Sequence, residues 1–207
     1  MPDFKLEAQH SGNIIGIDEV GRGPWAGPVI AAAVMLDPLL VPASLLQQIN
    51  DSKKLTKAKR ERISFELKAY QNKGCHFAIG QASVEEIDAL NIRQATFLAM
   101  QRAVEDFPFT PDVALVDGNA CPKFSFKAIS VIKGDSVSVS IAAASIIAKV
   151  FRDLLMADLA DHHIHYGWER NSGYGTREHQ EALSLHGVTP HHRKSFAPIR
   201  QLLAATA

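Results

Sequence analysis

Asp18 and Glu19 are adjacent acids at the end of the apolar run NIIGID, and residues 21–23, just beyond them, read Gly-Arg-Gly. Asp117 closes a second apolar run, VALVD, and Asp135 follows a third, ISVIKGD. If these runs are strands of one sheet with these ends together, Asp18, Glu19, Asp117 and Asp135 converge, and bare carboxylates that close repel by several kcal/mol at reduced dielectric. A cation between them removes the repulsion. Hard oxygen donors without Cys or His beside them suit Mg2+ or Mn2+ rather than zinc. Two such ions about 4 Å apart can activate a water and stabilise the leaving oxygen of a phosphodiester during in-line displacement. Singly, an Asp before Gly is a common turn former; three coincident cases outweigh that reading. Neighbouring strand residues face opposite ways, so Asp18 and Glu19 share a site only if the strand ends or bulges between them, as Gly21 and Gly23 suggest.

The turn has a competing reading. GRGPWA fits a relaxed dinucleotide-binding fingerprint, but that motif requires a helix directly afterwards, whereas a Pro and the short run VIAAAVM follow here. No Gly-Lys-Ser or Gly-Lys-Thr phosphate loop is present in the sequence. A turn poor in side chains also exposes backbone groups that can approach a sugar, and the 2′-hydroxyl of RNA both donates and accepts. Tyr174, flanked by Gly173 and Gly175, offers a ring for stacking on a base or sugar, against the plainer reading of simple packing. The cluster His162, His163 and His165 lacks cysteine partners and a shared helix face, so it does not read as a zinc site.

The elements that position these groups follow from periodicity and capping. Residues 13–18 and 28–36 read as a hairpin, residues 75–82 as a third strand, and residues 112–118 and 127–135 as two more. Thr56 caps a helix reaching about Gln71, and Ser83 with Glu86 forms a capping box that opens a helical region to Asp106, interrupted near Asn91. A small-residue helix is expected from Ser136, just past Asp135, to Leu159. Residues 161–179 read as loop; a helix capped by Thr176 and stopped at Gly187 and a final helix from Ser195 close the chain.

Composition limits what the site can serve. A chain of 207 residues with 46% hydrophobic content supports one core of ordinary size. The first residues carry acids and no apolar run, and SVSVSIAAASIIAKVF is broken by serines and ends near Lys149, so neither export nor a membrane span is expected. Cys75 and Cys121 read as free thiols of a cytoplasmic protein. Lys plus Arg equals Asp plus Glu at 22 each, which excludes a uniformly basic polyanion binder and leaves local patches. The clearest is residues 52–62, where Lys53, Lys54, Lys57, Lys59, Arg60 and Arg62 are opposed only by Glu61; a solvated helix face is the alternative.

The ordered segments GIDEVGRGPWAGPV, DSKKL, LVDG, IKGD, SIAAASIIAKVFRD, GYGT and HRKSF span nearly the whole chain, and the set resembles the type 2 ribonuclease H family, the bacterial ribonucleases HII. The resemblance implies an α/β, ribonuclease H-like fold: a five-stranded mixed sheet flanked by helices, with a small C-terminal helical region. It divides the chain into a catalytic core over 1–160 and a substrate-binding region over 161–207. Asp18, Glu19 and Asp117 match the family's metal-binding carboxylates and Asp135 its fourth active-site acid. Gly21, Arg22 and Gly23 match the motif that senses the ribose beside the scissile phosphate. Tyr174 matches the tyrosine at the junction between ribonucleotide and deoxyribonucleotide, and Ser52, Lys53 and Lys54 a motif near the substrate backbone. The implied protein uses two Mn2+ or Mg2+ ions to cut the RNA strand of RNA/DNA hybrids and to incise duplex DNA at single ribonucleotides; a monomer is the default expectation. Ser172 departs from the Lys often found before GYGT, which puts one backbone contact in doubt. Two other classes remain open on the residues alone: a related hydrolase acting on DNA, and a hybrid-binding module without chemistry.

Overall fold

The computed structural model describes residues 1–205. Its centre is a five-stranded mixed sheet in the order β3-β2-β1-β4-β5. The strands are β1 (Ile14–Val20), β2 (Val29–Leu36), β3 (Cys75–Ala82), β4 (Val113–Asp117) and β5 (Lys127–Val131). The first three form an antiparallel meander, while β1, β4 and β5 run parallel. The helices are α1 (Ala43–Leu46), α2 (Lys57–Ala69), α3 (Val84–Leu90), α4 (Ile92–Glu105), α5 (Val139–His162), α6 (Trp168–Asn171), α7 (Arg177–His186) and α8 (Ala197–Ala205).

The alternation of β2 shows how the layers form. Ile30, Ala32 and Val34 face one core, shared with α2 and α5, while Val29, Ala31 and Ala33 face a second, shared with α3 and α4. The alanines of this run are small because a helix lies against each face of the sheet. A further apolar cluster joins the end of α5 (Met156, Ala160) to Tyr166, Trp168, Leu183 and Ile199. Among the described residues no helix is long and apolar enough to cross a membrane.

The caps expected at Thr56, Ser83 and Thr176 are all formed, and Asn91, at φ 69°, both ends α3 and caps α4. The region around Asp135 differs from expectation. β5 stops at Val131, and Asp135 lies in a 3-10 turn, Gly134–Ser136, entered through a left-handed Lys133. Helix α5 begins only at Val139, capped by Ser138, so Asp135 is neither a strand end nor a helix start. At its far end α5 continues to His162, and α6 is folded inside the stretch expected to be loop, because Met156 and Ala160 have Trp168 to pack on. The last helix starts at Ala197 rather than Ser195.

Helix α5 crosses β1 at Gly16, where an added Cβ would lie 2.2 Å from the carbonyl carbon of Ser140. Gly16→Ala is thus expected to force the helix off the sheet and destabilise the protein by about 1–3 kcal/mol, the usual cost of overpacking, read as a lower urea midpoint with an unchanged slope.

Candidate active site

The parallel strands carry the acids at their C-terminal ends, the side of an α/β sheet where ligands bind. Pairing of β1 with β4 runs from Ile14 opposite Val113 to Ile17 opposite Val116, so Asp18 and Asp117 are the next residues on neighbouring strands. The expected break between Asp18 and Glu19 does not occur. β1 stays in register with β2 through Val20, with Asp18 opposite Ala32 and Glu19 opposite Ala31. Asp18 therefore faces the α5 layer and Glu19 the α4 layer, and the acids straddle the sheet where β1 and β4 part.

Asp18 is 5% exposed. Its Oδ1 accepts the Glu19 N–H at 2.7 Å, and the Ser145 hydroxyl on α5 also hydrogen-bonds it. Burial, then the charges of Glu19 and Asp117, hold its carboxyl well above the usual range. Glu19 is likewise raised by burial, opposed by Arg22, whose guanidinium lies 3.3 Å away, and by Lys53. Asp117 accepts the Gly134 N–H at 2.6 Å, which ties the end of β4 to the 3-10 turn. Asp135, 7% exposed, is raised by burial and by Asp51 and Asp117, with Lys53 opposing. All four acids of the sequence reading thus fall in one neighbourhood. The donors are all oxygen and mutually repulsive, which suits a hard divalent cation, although no three His, Cys, Asp or Glu side chains among the described residues form a closed ligand set.

The residues 52–54 form a 3-10 turn beside these acids. Lys53 and Lys54 are exposed, whereas Ser52 is buried, with its Oγ 2.8 Å from that of Ser145. Ser52 therefore reaches Asp18 through Ser145. Asp51, at the head of the same turn, adds a fifth acid that reading the segment as a basic patch missed.

The glycine-rich turn is held from inside by two arginines with no exposed surface. Arg152 donates to the carbonyls of Pro28, Ser172 and Ala26 at 2.9–3.0 Å, and Arg193 to those of Gly21, Arg22 and Gly27. Burial pulls Arg152 down to about 10 and Arg193 to about 9, so both remain charged at neutral pH. Gly21, at φ +94°, has no room for a side chain: a Cβ would sit 2.3 Å from Arg152 Nε. Tyr174, 48% exposed, lies over Gly23, where a Cβ would stand 3.3 Å from its Cε1. Ser172 turns inward, its carbonyl on Arg152 and its hydroxyl on Asp153.

A buried histidine pair supports the tyrosine. The Thr189 N–H donates to His192 Nδ1 at 2.9 Å, so His192 carries its proton on Nε2 and donates to His179 Nε2, also at 2.9 Å. His179 then donates from Nδ1 to the Tyr174 carbonyl at 3.0 Å. Ser145 and Arg152 lie in SIAAASIIAKVFRD and His192 and Arg193 in HRKSF, segments that carried the resemblance, but the sequence assigned no site role to them or to His179. His163 packs edge-on against Tyr166, and His165 stacks on His186.

With this geometry in view, comparison with known proteins decides the family. The ribonuclease HII family model matches residues 15–199. The chain belongs to the ribonuclease HII family. A ribonuclease HII of Jannaschia sp. strain CCS1 is 55% identical over 98% of both chains. Among solved structures, ribonuclease H2 of Pyrococcus horikoshii OT3 shares the fold with a TM-score of 0.77 at 23% identity, over 93% of this chain and 98% of that one. Bst-RNase HIII, crystallised in complex with Mn2+, aligns with a TM-score of 0.68 at 21% identity, over 97% of this chain and 72% of that one. As a ribonuclease HII, the protein is a nuclease that hydrolyses phosphodiester bonds.

The histidine pair gives this ribonuclease HII a pH dependence. Burial, then the neighbouring His179, pushes His192 down to about 3, and burial lowers His179 as well. The unfolded chain binds these protons near pH 6.5 and the folded one does not, so stability is full above pH 6.5 and declines as pH falls toward 3. Melting temperature is expected to drop between pH 7 and pH 4.5, and His192→Asn to flatten that decline.

Proposed function

We propose that the protein cuts the RNA strand of RNA/DNA hybrids and incises duplex DNA at single embedded ribonucleotides, leaving 3′-hydroxyl and 5′-phosphate ends. The observation that carries this reading is an exposed ring, Tyr174, over the side-chain-free Gly23, where a Cβ would stand 3.3 Å from its Cε1, in the turn that follows Asp18 and Glu19. A stacking surface and a bare turn beside carboxylates are what reading one ribose in a duplex requires.

In this reading Asp18, Glu19, Asp117 and Asp135 would hold two Mg2+ or Mn2+ ions; the Mn2+ of the Bst-RNase HIII structure supports the metal class. Such ions supply an activated water and neutralise charge on the leaving oxygen. The chain's own groups do the rest. The Ser145 hydroxyl orients Asp18. With the carbonyls of Gly21 and Arg22 drawn inward by Arg193, the remaining groups of the turn are free to meet the 2′-hydroxyl. Tyr174 stacks on the following deoxynucleotide, and Lys53 and Lys54 steer the backbone. Residues 1–160 then serve as catalytic core and 161–207 present the tyrosine, in a cytoplasmic monomer.

The test is incision of a labelled duplex containing one ribonucleotide, with Mg2+ or Mn2+. Asp117→Asn should lower the rate at least about a hundredfold, equivalent to roughly 2.7 kcal/mol. Cutting of an all-DNA duplex would point instead to a DNA nuclease, and binding without metal-dependent turnover to a hybrid-binding module.

Tyr174→Ala should slow cutting at a single ribonucleotide about tenfold, within the range of one lost stack, while the melting temperature holds. Unchanged junction cleavage by a folded variant would refute the role.

A further inference from the structure

The α4 side of the acid site carries a cation that the reading above does not use. Glu19, Arg22, Arg93, Phe97 and Asp117 help to line a small cleft between the strand ends and the first turns of α4. Arg22 is paired with Glu19, but Arg93 makes no ion pair among the described residues. Its guanidinium instead lies over the Phe97 ring, 5.6 Å from the centroid. Arg93 is exposed and occupies the second position of α4, where its N–H is capped by Asn91.

A positive side chain is misplaced there by ordinary helix electrostatics. The first turn of a helix favours anions by about 0.3–1 kcal/mol, and that of α4 contains no acid. Arginine and helix dipole therefore add to one positive spot facing a cleft whose other edge is the acid site. A planar fork stacked on an aromatic ring, at the Asn91-capped start of a helix with no acid in its first turn, is suited to a phosphate.

We propose that Arg93 binds a non-scissile phosphate of the substrate backbone, seating the duplex against the α4 side of the acid site. The inference rests on the acids being the cleavage site. The phenyl ring of Phe97 limits the swing of the guanidinium, so the phosphate is met by a pre-oriented fork rather than a mobile charge.

Binding in the Asp117→Asn background separates this from catalysis. Fluorescence anisotropy with a duplex carrying one ribonucleotide, measured at several salt concentrations, should show Arg93→Ala binding about 3- to 10-fold more weakly near 0.1 M salt, with a log–log salt slope shallower by about 0.7–0.9. Arg93→Lys should restore the slope but only part of the affinity, because a point charge replaces the fork. Replacing single phosphates by neutral methylphosphonates should reveal one position whose loss weakens the Asp117→Asn parent but not its Arg93→Ala derivative. Equal affinity and slope in parent and Arg93→Ala, both folded by melting temperature, would overturn the role of Arg93 alone. A parent that does not bind the ribonucleotide duplex would overturn the proposed function and this inference together.

Discussion

Asp18, Glu19 and Asp117 are crowded at one edge of the sheet, and the crowding is written into the register of two parallel strands. Because β1 and β4 pair up to Ile17 and Val116, their next residues must be neighbours, and both are aspartates. Burial compounds the repulsion, and the principal influences on Asp18 include hydrogen bonds but no basic side chain. The basic groups nearby are committed elsewhere: Arg22 to Glu19, and Lys53 between Glu19 and Asp135. The protein thus relieves the edges of the cluster and leaves its centre uncompensated. Like charges left that way in a folded chain need a mobile cation or a proton, and the all-oxygen set favours the former.

The turn beside the acids poses the opposite problem. Arg152 and Arg193 are full charges with no exposed surface, and Arg152 lowers the proton affinity of Arg193 further. Among the described residues neither makes an ion pair with a carboxylate. Their partners are carbonyls of residues 21–28 and 172, several per guanidinium. Only a fork with several fixed donors can be satisfied this way, so Lys is not an equivalent. Each bond also fixes a carbonyl direction in a segment too rich in glycine to fix its own. Removing either arginine would orphan several carbonyls at once, at roughly 1–3 kcal/mol for each that stays buried.

The strands, caps and acids were legible because each rests on a local pattern. Alternation identified β3 to the residue, and Ser83 with Glu86 announced a capping box that is formed on both sides. What was not legible depends on contacts across long sequence distances. No pattern in the neighbourhood of Arg193 says that it reaches Gly21, 172 residues away in sequence. Ser145 reads as one small residue among alanines until its distance from Ser52 is known. Asp135 was assigned to the right neighbourhood for the wrong reason: a 3-10 turn tethered to Asp117 through Gly134 carries it there, not the end of a strand. The unbroken register of β1 also shows that two adjacent acids can serve one site from opposite faces of a sheet, provided that the sheet itself ends between its neighbouring strands.

The acids and the turn share helix α5, but at different places: Ser145 reaches Asp18, and Arg152 the carbonyls of Ala26 and Pro28. Asp18 and Asp117 are positioned by the sheet, the Gly134 turn and the first turns of α5, through contacts that reach no further along the chain than Ser145. The turn and Tyr174 are positioned from the other end of the chain: Arg193 holds the carbonyls of the turn, the Trp25 N–H donates to Gly173, and His192 reaches Tyr174 through His179. His192 and Arg193 are consecutive, so one short segment governs both the bare turn and the ring above it. The gap between turn and ring is thus set by Arg193 and His192 and, from α5, by Arg152, which holds both Pro28 and Ser172. On the proposed function that gap is where the ribose would be read, so selectivity would depend on the segment around Arg193 and chemistry on the strand ends.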